Sequence, residues 1–310
     1  MTLDADLTAA ERERAFAERL AQLTPSIPPD RAPGVRPRAV VFGGQPAAGK
    51  TTMQRLVHRA LGADRIALYD GDASLLVHPR YDALRRAHGI QGLEMVADAL
   101  ETGSNGGLHE AILAHLCAGD PRYDLLASHP LARQKWARRW AGDFRELDYR
   151  SSFVYLIVNH ADSSIALAER HQTALDTGGD GGWFDPDLHD EFYAELPDTA
   201  QTLETEGLID DIYLVDRGGC VVYENSRTVD GAWAQPPRVK QAILEERAQP
   251  PTPRSHDHLM RTAELVLKRR GLAPKVRETV ERAVRRESER PEPQPNSRGR
   301  DIDLRLSVLG

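Results

Sequence analysis

The chain has 310 residues, of which 40% are hydrophobic and 28% charged, with a formal net charge of −7. That balance fits a globular protein of one large domain or two small ones, and it argues against a general nucleic-acid binder with a basic face. The two cysteines, Cys117 and Cys220, stand far apart in apolar surroundings, so they frame no disulfide scaffold and suit a reducing compartment.

Residues 1–6 lack a basic start followed by an apolar run, and no stretch reaches the roughly 18 apolar residues that cross a bilayer. A cytoplasmic protein without membrane contact is expected. Residues 8–22 predict an amphipathic helix with Phe16, Leu20 and Leu23 on one face. Five prolines between 24 and 38 make an extended connector. Strands are then expected at 38–43, 65–69, 124–127, 152–158, 212–216 and 220–223. Between them lie helical stretches at 53–61, 74–76, 81–87, 92–100, 108–117, 131–140, 163–175 and 187–207. Apolar runs in the first and fourth strands mark a parallel sheet covered on both faces, a three-layer α/β domain over 36–228. It is preceded by the helix and connector of 1–35. Helical segments at 236–249, 256–271 and 274–287 form an extension over 229–289, and a Pro-rich tail from 290 to 310 is expected to be disordered.

The most informative motif follows the first strand. Gly44, Gln45, Pro46, Ala47, Ala48, Gly49, Lys50 and Thr51, with Thr52 behind them, make a complete phosphate-binding loop between a buried strand and a helix. Glycines let the backbone turn its N–H groups toward phosphate oxygens. The helix that opens at Thr51 and Thr52 supplies unpaired donors and a partial positive charge. Lys50 is placed to bridge the outer phosphates, and the Thr51 hydroxyl to meet Mg²⁺. A nucleoside triphosphate, ATP or GTP, is therefore the expected ligand.

The second strand ends in Tyr69, Asp70, Gly71 and Asp72, where ligands collect in an open α/β sheet. A carboxylate there can take a proton from an attacking hydroxyl or hold a metal through water. Asp72 is the choice for the base and Asp70 for the metal side. His78 and His109 match no metal-ligand spacing and read as structural. The run from Arg133 to Trp140 mixes cations with aromatics. It reads as a lid or surface helix rather than a nucleic-acid site, given the acidic total.

The loop, the Asp70–Asp72 strand end, the stretch from Leu75 through His78, Pro79 and Tyr81 to Leu84, and the segments 108–113, 165–170 and 203–214 together resemble the zeta-toxin family. The resemblance covers about 38–225. It implies a phosphate-loop kinase fold and a toxin held by a helical antitoxin. The implied activity is phosphorylation of the 3′-hydroxyl of the sugar of UDP-N-acetylglucosamine by ATP or GTP. It further assigns Lys50 and Thr51 to the nucleotide, Asp72 to the base, Glu110 to the substrate and Arg170 to the developing phosphoryl charge. The chain departs from the family at the end of the third strand. The family's Glu-Gly-Thr segment is matched by Ala127, Ser128, His129 and Pro130, so the carboxylate is missing. Ser128 then stands for the hydroxyl, His129 offers another polar group, and Arg133 aligns with a nearby arginine. A second lid arginine expected near 180–187 is also lacking, and Trp183 stands there instead. The departures leave open a different acceptor, such as that of an antibiotic or nucleotide phosphotransferase, or a nucleotide-binding switch with weak activity. The terminal helices 8–22 and 256–287 could block the nucleotide site in cis, as an antitoxin does in trans.

Overall fold

The computed structural model describes residues 4–102, 106–179 and 185–294. The chain order is α1 (Ala9–Leu23), β1 (Arg38–Gly43), α2 (Lys50–Leu61), β2 (Ile66–Asp70), α3 (Gly71–Ser74), a 3-10 turn (Leu75–Val77), α4 (Tyr81–His88), α5 (Ile90–Glu101) and α6 (Leu108–Leu116). It continues with β3 (Asp124–Ser128), α7 (Gln134–Glu146), β4 (Arg150–Ile157), α8 (His160–Asp176), α9 (Pro186–Thr205), β5 (Asp211–Asp216) and β6 (Val221–Ser226). The described chain closes with α10 (Val239–Ala248), α11 (Pro253–Leu267) and α12 (Pro274–Ser288).

The strands form one sheet in the order β2-β3-β1-β4-β5-β6. The first five are mutually parallel. β6 runs antiparallel to β5, a departure from an all-parallel sheet, because residues 217–220 are too few for a crossover and close a hairpin instead. The period of two in β1 splits its side chains between layers. Ala39 and Val41 enter a core shared with α1, α6, α7, α9 and α10. Val40 and Phe42 enter the opposite core, where Val57 of α2 packs with Leu126, Val154 and Leu156. The three-layer α/β expectation therefore holds.

Local signals set the helix starts. Thr8 and Glu11 form a capping box on α1, Asn159 caps α8, and Asp185 followed by Pro186 opens α9. Two expected helices have other bounds than their sequence signals. α11 begins at Pro253, with Thr252 as its cap, and α7 runs on to Glu146, because Ala137, Trp140, Ala141 and Phe144 continue its buried stripe. Cys117 and Cys220 are not joined in a disulfide. No helix among the described residues is long and apolar enough to cross a membrane. The disorder expected after 290 falls, from residue 295 onward, outside the described residues.

The terminal helices join the cores. Ala15 and Leu23 of α1 belong to the main core, and α11 with α12 packs Leu259, Val266, Val276 and Val280 against Ile165 and Ala168 of α8. A buried carboxylate links the last part of the domain. Glu204 of α9, wholly inaccessible, accepts from Tyr223 Oη (2.5 Å), Asn225 Nδ2 (2.8 Å) and the Val239 N–H (2.9 Å). Removing it leaves Tyr223 Oη and the Val239 N–H without this acceptor, and Asn225 Nδ2 with only the Gln235 carbonyl (3.0 Å). Glu204→Ala is expected to destabilise the fold by about 3 kcal/mol, read as an earlier denaturant midpoint.

Candidate functional site

The phosphate loop is built from strained backbone. Gly44 has φ 140° and Gly49 98°, and Ala47, which carries a Cβ, adopts 60°. A Cβ on Gly44 would meet the Leu156 carbonyl oxygen at 3.0 Å, so this position requires glycine. Lys50 curls back over the loop, and its Nζ donates to the carbonyls of Gly44 (2.8 Å) and Gln45 (3.0 Å). No side chain caps the N-terminus of α2, and no acidic residue lies in its first turn. Its N–H donors are thus left for an anion, and the cradle fits a polyphosphate. Pro46 and Ala48 are buried, Thr51 half-buried and Thr52 exposed. The Gln45 side chain faces inward. Its Nε2 donates to the Val158 carbonyl (2.9 Å) and to Ser163 Oγ (3.3 Å), tying the loop to the end of β4 and the start of α8.

Strand register brings the acidic turn alongside. Asp70 pairs with Ser128, and Ser128 pairs with Phe42, so three strand ends lie side by side. Beyond the sheet, the His129 N–H donates to the Phe42 carbonyl and the Gly44 N–H to the Pro130 carbonyl, both at 3.0 Å. Asp70 Oδ1 accepts from the Asp72 N–H (3.1 Å) and shapes the turn. Asp72 is exposed to solvent yet walled by protein on its other sides. Burial pushes its carboxyl up, the charge of Asp70 adds to this, and Lys50 and Arg170 oppose it. Burial likewise pulls Lys50 down to about 8, with Arg170 in the same direction and Asp72 and Asp70 against it. These mutual effects place Lys50, Asp70, Asp72 and Arg170 in one electrostatic field. Thr51 and Asp70 carry the oxygen donors that could hold Mg²⁺ there. Arg170 is exposed on α8, and the neighbouring Glu169 pairs with Arg269 (3.8 Å).

The acceptor side is more mixed. Ser128 and His129 stand at the shared strand edge. Glu110 closes the N-terminus of α6 through the Gly107 N–H (3.1 Å) and pairs with Arg139 (3.5 Å). Arg133 is directed to α9, where it meets Glu191 (2.8 Å) and lies over the rings of Trp136 and Phe192. The structure therefore gathers Lys50, Thr51, Asp70, Asp72, Ser128, His129 and Arg170, while Arg133 sits with α9. Trp183 lies outside the described residues.

Two groups beside the site carry no sequence motif. Tyr69, His109, Trp140 and His129 form a continuous ring cluster, in which Tyr69 Oη meets His109 Nδ1 (3.0 Å) and His109 Nε2 meets Asp143 (3.2 Å). The hydrogen bonds of His109 and His78 run to protein groups. The buried His78 Nε2 donates to the Ala5 carbonyl (2.9 Å). A second group joins His160, His189 and Asp190, whose ligand-type atoms lie within 4.8 Å of one another. The Arg286 guanidinium already sits beside His160 Nδ1 (2.8 Å) and Asp190 (3.5 Å), so a cation from α12 fills the place a metal would take. His189 Nε2 also meets Ser163 Oγ (2.9 Å), which connects this group to Gln45 of the loop.

Burial, with Lys50 and His109 adding to it, pulls the His129 imidazole down to about 3. Its Nδ1 accepts from the Leu131 N–H (3.1 Å), so the neutral ring carries its proton on Nε2. Below the unfolded value of roughly 6.5 the unfolded chain gains this proton and the native chain does not. Stability contributed here is full above that value and declines as pH falls toward 3. His129→Gln is expected to flatten the acid limb of stability against pH, measured by urea unfolding at a series of pH values between about 7 and 4.

Comparison with known proteins fits this geometry. Residues 26–228 match the Zeta toxin family. Toxin zeta of Streptococcus agalactiae is 24% identical over 217 residues, covering 70% of this chain and 73% of its own. Toxin PezT of Streptococcus pneumoniae is 24% identical over 228 residues, covering 73% and 85% respectively. A solved structure of the PezAT chromosomal toxin-antitoxin system of that species superposes with a TM-score of 0.59 at 20% identity, over 93% of this chain and 99% of its own, a likeness of fold. The matched span holds the phosphate loop, the acidic turn and α8 together, and the chain belongs to the zeta-toxin family.

Proposed function

We propose that this protein is a phosphotransferase that moves the terminal phosphoryl group of ATP or GTP to a hydroxyl of a small molecule. It acts as the toxin of a toxin–antitoxin pair, with a helical antitoxin as its partner. The observation that carries this reading is the shared field of Lys50, Asp70, Asp72 and Arg170 beside the uncapped start of α2. An NTP laid on the loop puts its phosphates against Lys50, and the anion favours the charged ammonium that burial alone disfavours. Thr51 and Asp70 would hold Mg²⁺, which would supply charge neutralisation to the phosphates. Asp72 takes the proton from the acceptor hydroxyl as its oxygen bonds to the terminal phosphorus and the bond to the leaving diphosphate breaks. Lys50 and Arg170 meet the charge on the transferred group.

Family membership supports UDP-N-acetylglucosamine as the first acceptor to try. Ser128, His129 and Glu110 are the polar groups proposed to meet it, with Arg133 reaching it only if it leaves α9. One observation favours a second reading, a different phosphotransferase acceptor or a nucleotide-binding switch. The strand end beside Asp70 presents a hydroxyl and a neutral imidazole, with no carboxylate to bind sugar hydroxyls.

The test is NTP consumption against a panel of hydroxyl acceptors headed by UDP-N-acetylglucosamine, with the product followed by mass spectrometry. Asp72→Asn is expected to cut transfer by ~10²- to 10⁴-fold while nucleotide affinity changes little. Lys50→Ala is expected to lose both transfer and tight nucleotide binding. Binding without transfer to any acceptor would leave the switch. Separately, Gly44→Ala should abolish nucleotide binding in a titration and also lower the melting temperature, because the added Cβ meets the Leu156 carbonyl of β4 at 3.0 Å in a backbone conformation that favours glycine.

A further inference from the structure

Arg19 stands on the inward stripe of α1, where an apolar residue belongs, and is only 6% exposed. A buried guanidinium is costly unless its donors are satisfied. Its donors go mainly to one place. Nη2 donates to the Asp70 carbonyl (3.0 Å) and Nε to Ser74 Oγ (2.9 Å), the two ends of the turn that carries Asp72, while Nη1 donates to Gln22 of its own helix (3.2 Å). Ser74 Oγ also donates to the Asp70 carbonyl (3.2 Å), so the three groups close a ring of hydrogen bonds behind the turn. α3 is four residues long and has little stability of its own.

The segment after the turn is held from the same side. His78 Nε2 donates to the Ala5 carbonyl (2.9 Å), and Arg80 donates to Glu11 and to the Asp6 carbonyl, both at 2.6 Å. Residues 5–19 thus run as a splint along residues 70–80. None of these contacts involves the phosphate loop.

We infer that Arg19 is a positioning residue for the proposed transfer, setting the place of Asp72 through the Asp70 carbonyl and Ser74, so that α1 is part of the catalytic unit. The inference rests on the phosphotransferase reading for its effect on rate, and on geometry alone for its effect on the turn. Loosening α1 would misplace the base while leaving the nucleotide cradle intact, and a displacement of about 1 Å can cost ~10²-fold in rate.

The full-length chain carrying Arg19→Gln tests this in two ways. Amide hydrogen exchange read by mass spectrometry is expected to quicken by ~10-fold or more across residues 70–80, with residues 44–61 unchanged. Unchanged exchange at 70–80 overturns the inference, and so does equal quickening throughout, which would make Arg19 a general stability residue. Transfer of phosphate to the acceptor found above is expected to fall by ~10²-fold at constant KM for the nucleotide. In an Asp72→Asn background the same substitution should cost less than ~3-fold, because the group it positions is gone. Full additivity of the two losses overturns the inference. If the parent protein transfers no phosphate, the phosphotransferase reading fails, and the exchange measurement still decides whether Arg19 sets the turn.

Discussion

Two backbone hydrogen bonds outside the sheet hold the site together. The His129 N–H reaches the Phe42 carbonyl, and the Gly44 N–H reaches the Pro130 carbonyl. β1 lies between β3 and β4, so its carboxyl end opens into a crevice where the chain leaves in different directions on either side. These bonds carry the pairing of β1 with β3 one step past the strands. As a result the phosphate loop and the segment 128–130 cannot drift apart independently. The proposed nucleotide half and the proposed acceptor half share one rigid seam, and β2 delivers Asp70 to the same edge by register.

Most of this frame is legible in the sequence because each piece is a local signal. The apolar runs at 38–43 and 152–158 are buried strands, and the glycine–lysine–threonine spacing allows little besides a phosphate loop when a strand precedes it. Asp70 and Asp72 are legible by position, since a strand that directly follows a loop–helix unit tends to end at the ligand edge. Arg19 is not legible in the same way. A charge on an apolar stripe reads as a surface residue until the turn it satisfies is known. The same holds for His160, which stands about 30 residues before the adjacent His189 and Asp190 and meets them only through the packing of α8 against α9. Trp140 had an available signal. The stripe Ala137, Trp140, Ala141, Phe144 keeps helical spacing, and following it past Trp140 would have placed that ring in the core.

Charge and burial divide the site into unlike halves. Around Lys50 and Asp72 opposite charges face one another, so each tempers the effect of burial on the other. Around His129 the neighbouring groups are Lys50 and His109, and both push in the direction burial already favours. The outcome is a neutral donor beside Ser128, backed by the rings of Trp136 and Trp140. A carboxylate at this edge would have stood near Asp70 and been repelled by it. An imidazole avoids that cost and changes what the edge can recognise, from hydroxyl donors toward groups that accept a hydrogen bond. This is a physical reason to expect the acceptor preference to follow residues 128–130 rather than the phosphate loop.

The terminal helices bear on whether the chain could inhibit itself. A helix that blocks a cleft in cis needs a free apolar face to dock there. On α1 that face is already buried in the main core, and Arg19 is committed to the turn. On α11 and α12 the apolar residues pack against α8, with Ala47 of the loop touching the same cluster. Polar contacts reinforce this seat: Arg269 reaches Thr173 (2.8 Å) and Asp176 (3.2 Å), and the Ala273 N–H reaches Gln172 (3.2 Å). These bonds flank Arg170 on its own helix. The hairpin therefore supports α8, the helix that carries Arg170. Through Arg286, His160, Asp190, His189 and Ser163 its influence extends by direct contacts to Gln45. Among the described residues, α1 and the α11–α12 hairpin thus both bear on the site through these contacts. Among the described residues, the N-terminus of α2 lacks a side-chain cap and Asp72 meets solvent, and this is the face on which the proposed ligand would lie.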